Sequence, residues 1–334
     1  PEGIANELQK RCAGWINQPL DMKKVAETVT QLSNRKDIKA VDGRTENISR
    51  DKVAVIFNIE RPPKYEFGVD GFASNLYPNP WVSFQGTMHD ALMAGDTVSL
   101  EYRFGSNQGA MLRYFTLETS SDTQWGFILA GRREMYDPSN FVSQEFDRYT
   151  ARLAWYKQLS PRTRMGLGYA AEMVTSLTPD DINRNGPYLS LSFNTLDDPV
   201  LPTKGLIFDT SLWFPFEHRA VTATNFKLFV PVKNFGRMTI GGGLKTGDAE
   251  NLAFAATLGS RLELYSLGQH TLVGDQAYWV HLGFEKNLMR SWWGGINVEI
   301  FGNYGQVMDG WTNSGSHWEV CAALSIPTNK CGGK

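Results

Sequence analysis

From Tyr65 onward the chain alternates between apolar and polar residues. In TVSLEYRFG the apolar Val98, Leu100, Tyr102 and Phe104 are separated by Ser99, Glu101 and Arg103. A period of two belongs to a strand whose two faces meet different surroundings. RTRMGLGYAAEM sets Met165, Leu167 and Tyr169 against Arg164, Gly166, Gly168 and Glu172. YWVHLGFE sets Tyr278, Val280, Leu282 and Phe284 against Trp279, His281, Gly283 and Glu285. WEVCAALSI sets Trp318, Val320, Ala322, Leu324 and Ile326 against Glu319, Cys321, Ala323 and Ser325. About fourteen such segments lie near residues 64, 80, 97, 109, 124, 146, 163, 187, 206, 220, 237, 277, 292 and 317. Most are about ten residues long, the length a tilted strand needs to cross a bilayer.

Two features favour a transmembrane antiparallel β-barrel over a soluble sandwich. The apolar face of each segment stays apolar for its full length, often with Tyr or Trp at the ends, as lipid contact between interfacial aromatic girdles requires. The opposite face carries charges in mid-strand. Connector lengths are the second feature. Links after even-numbered segments are mostly tight (MAGD, LSP, NFG, SW), whereas several after odd-numbered ones are long (MYDPSNFVSQ, LTPDDINRNG and the stretch from 249 to 276). Short turns on one rim and long loops on the other fit an outer-membrane barrel.

Composition narrows the alternatives. The 33 basic and 35 acidic residues nearly cancel, which gives neither nucleic acid nor an anionic membrane surface an evident partner. No stretch approaches the roughly 18 consecutive apolar residues of a spanning helix. The chain has no initiator Met and no signal peptide, as expected of a processed chain or a fragment. Of Cys12, Cys321 and Cys331, the last two are close enough in sequence to pair in an oxidising compartment, or all three stay as thiols.

Residues 1–63 have a different period. Ile4, Leu8, Cys12 and Trp15 recur at helical spacing, as do Val25, Val29 and Leu32. The strands IKAV and KVAVIFNIE follow, and RPPKY then ends the ladder, because proline removes a backbone donor. Helix, helix, strand and strand make a small α+β module ahead of a barrel at 64–334.

This arrangement resembles the Omp85 superfamily, in which periplasmic POTRA domains precede a sixteen-stranded barrel. The hairpin between segments eight and nine is similar to that family's acid then Pro-Thr-Lys/Arg-Gly turn: here Asp198, Pro202, Thr203, Lys204 and Gly205. LAFAATLGSRLELYSLGQHTLVGDQAYWVHLGFEKNL resembles the long sixth loop after strand eleven, which in the family folds back into the lumen and carries an arginine. The matching residue is Arg261. Leu258-Gly259, Arg261-Leu262, Tyr265 and Gly274-Asp275-Gln276 look closest to the patatin-fused members, the type Vd autotransporters, and a single POTRA-like module points the same way. Two departures stand out. The glycine usual after the loop arginine is replaced around Glu263, and CGGK ends the chain two strands short of sixteen. Either the chain is truncated, or it is a fourteen-stranded relative, or segments escape the count.

The resemblance implies a latch. A guanidinium keeps its charge and needs planar acceptors in a narrow lumen, and Glu285 and Glu299, on the next two strands, face Arg261 with His281 and Asn297 nearby. Gly302-Asn303 matches the family pattern, but Glu299 sits one position farther from it than the usual acid. On the barrel reading the proline hairpin, with Asp197 and Lys204, forms the periplasmic rim.

Other motif echoes are weak. GLGYAA copies a dinucleotide fingerprint but opens no helix. DDINRNG starts like a calcium loop, yet its twelfth position is Ser192. His281 and Glu285, four apart on a strand, lie roughly 13 Å apart at strand rise, too far to share a metal. No Gly-x-Ser-x-Gly elbow occurs. Catalytic, cofactor and metal residues are therefore expected to be none. The expected function is the outer-membrane portion of a patatin-like phospholipase, anchoring or translocating an upstream lipolytic domain. The expected partners are membrane lipids, that domain or a client protein, and a second copy of the chain. The alternatives are a general assembly or secretion pore of the same superfamily and a passive porin.

Overall fold

An alternating segment must find its backbone hydrogen bonds on neighbouring strands. In the computed structural model it does so within one continuous antiparallel sheet. The structure describes residues 2–33, 38, 40–49, 52–61, 63–72, 80–93, 95–105, 108–116, 123–136, 144–160, 162–176, 182–197, 202–233, 236–248, 254–259, 263–264, 267, 271–291, 294–308, 315–325 and 331–333.

The amino-terminal module contains α1 (Glu2–Cys12), a short 3-10 turn, α2 (Met22–Ser33), β1 (Ala40–Ser49) and β2 (Lys52–Glu60). Leu32 and Ile38 are its buried centre, packed by Leu8, Val41, Phe57 and Ile59. β1 runs well past the expected IKAV. The polar DGRTENIS continues the ladder against β2, with Asp42 opposite Asn58 and Glu46 opposite Ala54, because pairing with the β-branched partner overrides weak local propensity.

Fourteen strands then form the wall. The first seven are β3 (Tyr65–Phe72), β4 (Trp81–His89), β5 (Thr97–Gly105), β6 (Gly109–Phe115), β7 (Thr123–Tyr136), β8 (Gln144–Ser160) and β9 (Thr163–Ser176). β10 (Ile182–Asn194), β11 (Gly205–Trp213), β12 (Val221–Val232) and β13 (Gly236–Thr246) follow. After a long loop holding the short β14 (Ala256–Leu258) and β15 (Leu272–Gly274), the wall resumes with β16 (Gln276–Ser291), β17 (Gly294–Met308) and β18 (Ser316–Ser325). Each wall strand pairs with its neighbour in chain order, and β13 pairs directly with β16 across the loop. These strands coincide with the alternating segments of the sequence.

The sheet is rolled. Phe254 and Val273 of the long loop pack on Phe146 of β8 and Val174 of β9, while Leu258 and Leu264 pack on Trp279 of β16 and Val307 of β17. One loop can touch both regions only inside a curved wall. Three residues, β19 (Cys331–Gly333), add to β3, and only six Cα steps, at most about 23 Å, separate them from the end of β18. Among the described residues no ladder joins β18 to β3 or β19, so the expected barrel is not closed by hydrogen bonds there.

The faces sort as alternation requires. Leu100, Leu153, Val280, Leu282, Ile300 and Val320 are exposed on the outside, and Glu134, Arg148, Arg184 and Glu285 are buried within. The rim asymmetry is looser than expected. The links 161–162 and 292–293 are tight and 247–275 is long, but 106–108, on the long-loop rim, is also short. The INRNG part of the supposed long loop and calcium echo belongs to β10.

Candidate functional site

The inner face carries two polar clusters, one toward each rim, with the long loop between the walls. Nearer the long-loop rim, Arg148 Nε donates to Glu134 Oε2 at 2.7 Å and Arg184 Nη2 donates to Glu172 Oε1 at 3.1 Å. Arg148 also donates to Glu172, joining the two pairs. Glu134 is 2% exposed and Arg184 6%. Removing one member of such a cluster strands a buried charge at a cost of about 3–5 kcal/mol. The guanidinium of Arg184 lies 3.7 Å from the Phe254 ring and 4.6 Å from that of Trp213, so the loop rests on this cluster through a cation–π contact.

The loop is a plug. β14 and β15 form a two-stranded hairpin within it. Leu258, Leu264 and Val273 are fully buried. Gly305 of β17 leaves the space they occupy, since a Cβ there would stand 2.9 Å from Leu264 Cδ1 and 3.0 Å from Leu258 Cδ1. Lys245 of β13 donates to Thr257 O at 3.2 Å and pairs with the Glu263 carboxylate. At the loop's exit, Arg219 Nη1 donates to Asp275 Oδ2 at 2.9 Å.

Toward the opposite rim a hydrogen-bonded chain crosses four strands. Thr239 donates to Glu299 Oε1 at 2.7 Å, and His281 Nε2 lies 3.2 Å from the same oxygen. Asn303 Nδ2 donates to Glu319 Oε1 at 2.6 Å, which turns its Oδ1 toward His281 Nδ1 at 2.7 Å and places a proton on that nitrogen. Arg237 Nη2 donates to Glu285 Oε2 at 2.6 Å, and Asn287 bonds Asn297 at 2.6 Å. These last four residues share a cavity of about 210 Å³ with Pro202 and Thr203, so the proline hairpin reaches across the lumen mouth.

The hairpin is tied from within. Asp197 accepts hydrogen bonds from the backbone N–H groups of Thr203 at 2.8 Å and Lys204 at 3.1 Å, and from the Thr203 hydroxyl. Burial alone would raise its pKa, but the Thr203 hydroxyl and the two N–H groups outweigh it and hold the carboxyl at about 2. Gly205 closes the turn at φ +119°, where a Cβ would stand 2.4 Å from Thr195 O. On the same rim the module meets the wall. His89 N donates to Lys64 O at 2.9 Å, and Arg61 Nη1 lies 3.4 Å from Asp90 Oδ2.

Of the residues singled out in the sequence, Arg261 and Asp198 lie outside the described residues. Glu285 and Glu299 sit on adjacent positions of paired strands, each bonded to the wall: Glu285 to Arg237, Glu299 to Thr239 and His281. Pro202, Thr203, Lys204 and Gly205 form the hairpin together, with Asp197 as the acid that clasps it. The Lys245–Glu263 pair and the Arg184–Phe254 contact escaped sequence reasoning. Their signal was faint: Glu263 appeared only as a departure from a glycine, and Lys245 was not singled out.

No protein-family model matches the chain. No curated protein matches it either. Among solved structures, CdiB from Escherichia coli superposes with a TM-score of 0.66 at 11% identity, over 98% of this chain and 69% of that one. CdiB from Acinetobacter baumannii gives 0.58 at 12% identity over 93% and 63%, respectively. BamA from Haemophilus ducreyi lacking POTRA domains 1–3 gives 0.53 at 13% identity over 93% and 78%. These are outer-membrane β-barrels of the Omp85 superfamily, and the chain shares their fold.

Two outcomes are expected. Lys245→Met and Glu263→Gln should each speed the heat-induced loss of the folded gel species about tenfold, as for a charged hydrogen bond worth about 1.5 kcal/mol. The double variant should be no faster, whereas additive effects would separate the two residues. Because the folded pKa of Asp197 is depressed, its tie is at full strength above about pH 4 and is lost as pH falls through about 2. Its carboxyl ¹³C shift should titrate near 2, and a midpoint near 3.8 would contradict the tie.

Proposed function

We propose that this chain is an Omp85-type barrel of the bacterial outer membrane that passes or assembles a client polypeptide. Residues 64–334 form the barrel, and residues 1–63 form a POTRA-like module in the periplasm, where client would first be met. The observation that carries this reading is the plugged lumen. A loop seated by Lys245, Glu263 and Arg184 inside the wall makes a gated conduit rather than an open one. The fold likeness to BamA and CdiB supports it. The link from the module enters the wall at the rim that carries the proline hairpin, which supports a common side for both.

The patatin-fused assignment has no support among these fold neighbours, and the assembly or secretion reading takes its place. The partner is then a client protein rather than an upstream hydrolase, and we assign the chain no reaction of its own. Arg261, which the family resemblance singles out, is proposed as a further anchor beside the Lys245–Glu263 pair. A passive porin fits less well, because the loop fills the space that solutes would need.

The test is a comparison of the host with and without the chain by quantitative proteomics of its outer membrane and medium. A few specific polypeptides should fall roughly tenfold or more, the size of change that counts as a decade in any equilibrium or rate, while uptake of small solutes stays unchanged. Impaired solute uptake with an unchanged protein profile would favour the porin instead.

A further inference from the structure

From β5 to β10, each inward carboxylate among the described residues is shared by two arginines. Glu101 lies 3.8 Å from Arg103 Nη2 and 3.0 Å from Arg113 Nη2. Glu134 takes Arg132 and Arg148, and Glu172 takes Arg148 and Arg184. Arg152 meets no carboxylate among the described residues. Its Nη1 donates to the Tyr188 hydroxyl at 3.2 Å, its guanidinium stacks 4.0 Å from the centre of that ring, and its Nε is buried with no hydrogen-bond partner. Arg103, Arg113 and Arg152 alternate with the exposed Phe104, Leu112 and Leu153, which puts all three on the inner face. Elsewhere on that face the pairing is one to one, Arg237 with Glu285 and Lys245 with Glu263. Arg152 and the Arg103–Glu101–Arg113 triplet therefore leave positive charge in excess on one arc of the lumen. A guanidinium without a counter-ion is costly in such surroundings.

These arginines climb the wall in steps. Arg113 and Arg152 lie in one cross-strand row, with Ile128 between them. Arg184 stands in the next row, beside Glu172 and Thr150. Arg103, Arg132 and Arg148 share the row after that, with Gly109 between the first two. Successive rows are two residues apart, about 7 Å at strand rise. Arg103 and Arg113 are 34% and 30% exposed, so their guanidiniums reach the lumen.

We propose that the inner face of β5 to β10 is a basic track for an extended, acid-bearing segment of the client polypeptide. This rests on the reading of the chain as a conduit for polypeptide and adds which kind of segment it takes. An extended segment directs every second side chain to one face at the same spacing of about 7 Å. Acids two residues apart in the client thus meet successive rows of arginines. The planar fork of a guanidinium matches a carboxylate in geometry as well as charge, and low-dielectric walls focus the field of the excess charge into the passage. A basic segment is repelled by the same field.

The probes are two fluorescent peptides of about ten residues, enough for several rows, one alternating Glu with Ser and the other Lys with Ser. Each is titrated by anisotropy into the full chain in detergent at low salt, with benzoylphenylalanine at the inward Ser99 to report contact by photocrosslinking. The acidic peptide should be retained and crosslink at Ser99, with the basic one held far less well. Arg152→Gln should lower retention of the acidic peptide about tenfold, the scale of one charged hydrogen bond. Glu101→Gln, which frees Arg103 and Arg113, should raise it, and both variants are first checked for the heat-modifiable gel species. Because the loop shares the lumen, the titrations are repeated with Lys245→Met, which loosens it. Equal retention of the two peptides would overturn the track, as would acidic retention that neither substitution changes. Retention without a crosslink at Ser99, or of neither peptide by the wild type and Lys245→Met alike, would overturn it too. If the track fails while specific polypeptides still fall in the host lacking the chain, this inference alone is lost. If the acidic peptide is retained but the host's protein profile is unchanged, the conduit reading is lost instead.

Discussion

On the proposed membrane reading, the hydrocarbon around the wall offers no hydrogen bonds, and the other features of the wall answer to that. A strand bathed in lipid must bond its whole backbone to its neighbours, because each orphaned polar group costs several kcal/mol there. The antiparallel ladder from β3 to β18 meets the requirement in chain order. It also dictates the sorting of side chains. With a period of two, alternate residues take opposite faces, so Leu282 is exposed outside while its neighbour His281 bonds within. Among the described residues no ladder joins β18 to β3.

The inner face then has to manage charge. Arg148, Glu134, Glu172 and Arg184 neutralise one another across four strands, and Thr239, His281, Glu299, Asn303 and Glu319 share hydrogen bonds across four more. Such clusters hold adjacent strands in register, and they also form the surface against which the loop docks. The long loop rests on the first cluster through Phe254 on Arg184, and is held besides by Glu263 on Lys245 and by Asp275 on Arg219. Leu258, Leu264 and Val273 add its apolar burial.

The wall was legible because lipid on one side and a polar lumen on the other imprint the strongest local signal a strand can carry. Strand positions, the hairpin between strands eight and nine and the lumenal fold of the long loop all followed from that signal or from the family resemblance. The extent of β1 was not legible, since DGRTENIS has poor strand propensity and is held by its partner. Nor was the boundary of β10, where INRNG reads as a turn but pairs as wall. The ion pairs were hidden for a simpler reason. Alternation tells which residues face inward, but the roll of the sheet decides that Lys245 meets Glu263, and the local turn decides that Asp197 clasps Thr203.

Lipid contact is the central claim, and spin labels test it directly. In a background with the native cysteines replaced, labels at the outward Leu153 and Val320 and at the inward Ser99 and Ser190 are compared in reconstituted membranes. The outward labels should collide with oxygen dissolved in the bilayer and be shielded from a water-soluble nickel chelate, with the inward pair showing the reverse preference. Free access of the chelate to Leu153 and Val320 would mean that water, not hydrocarbon, covers the outer face.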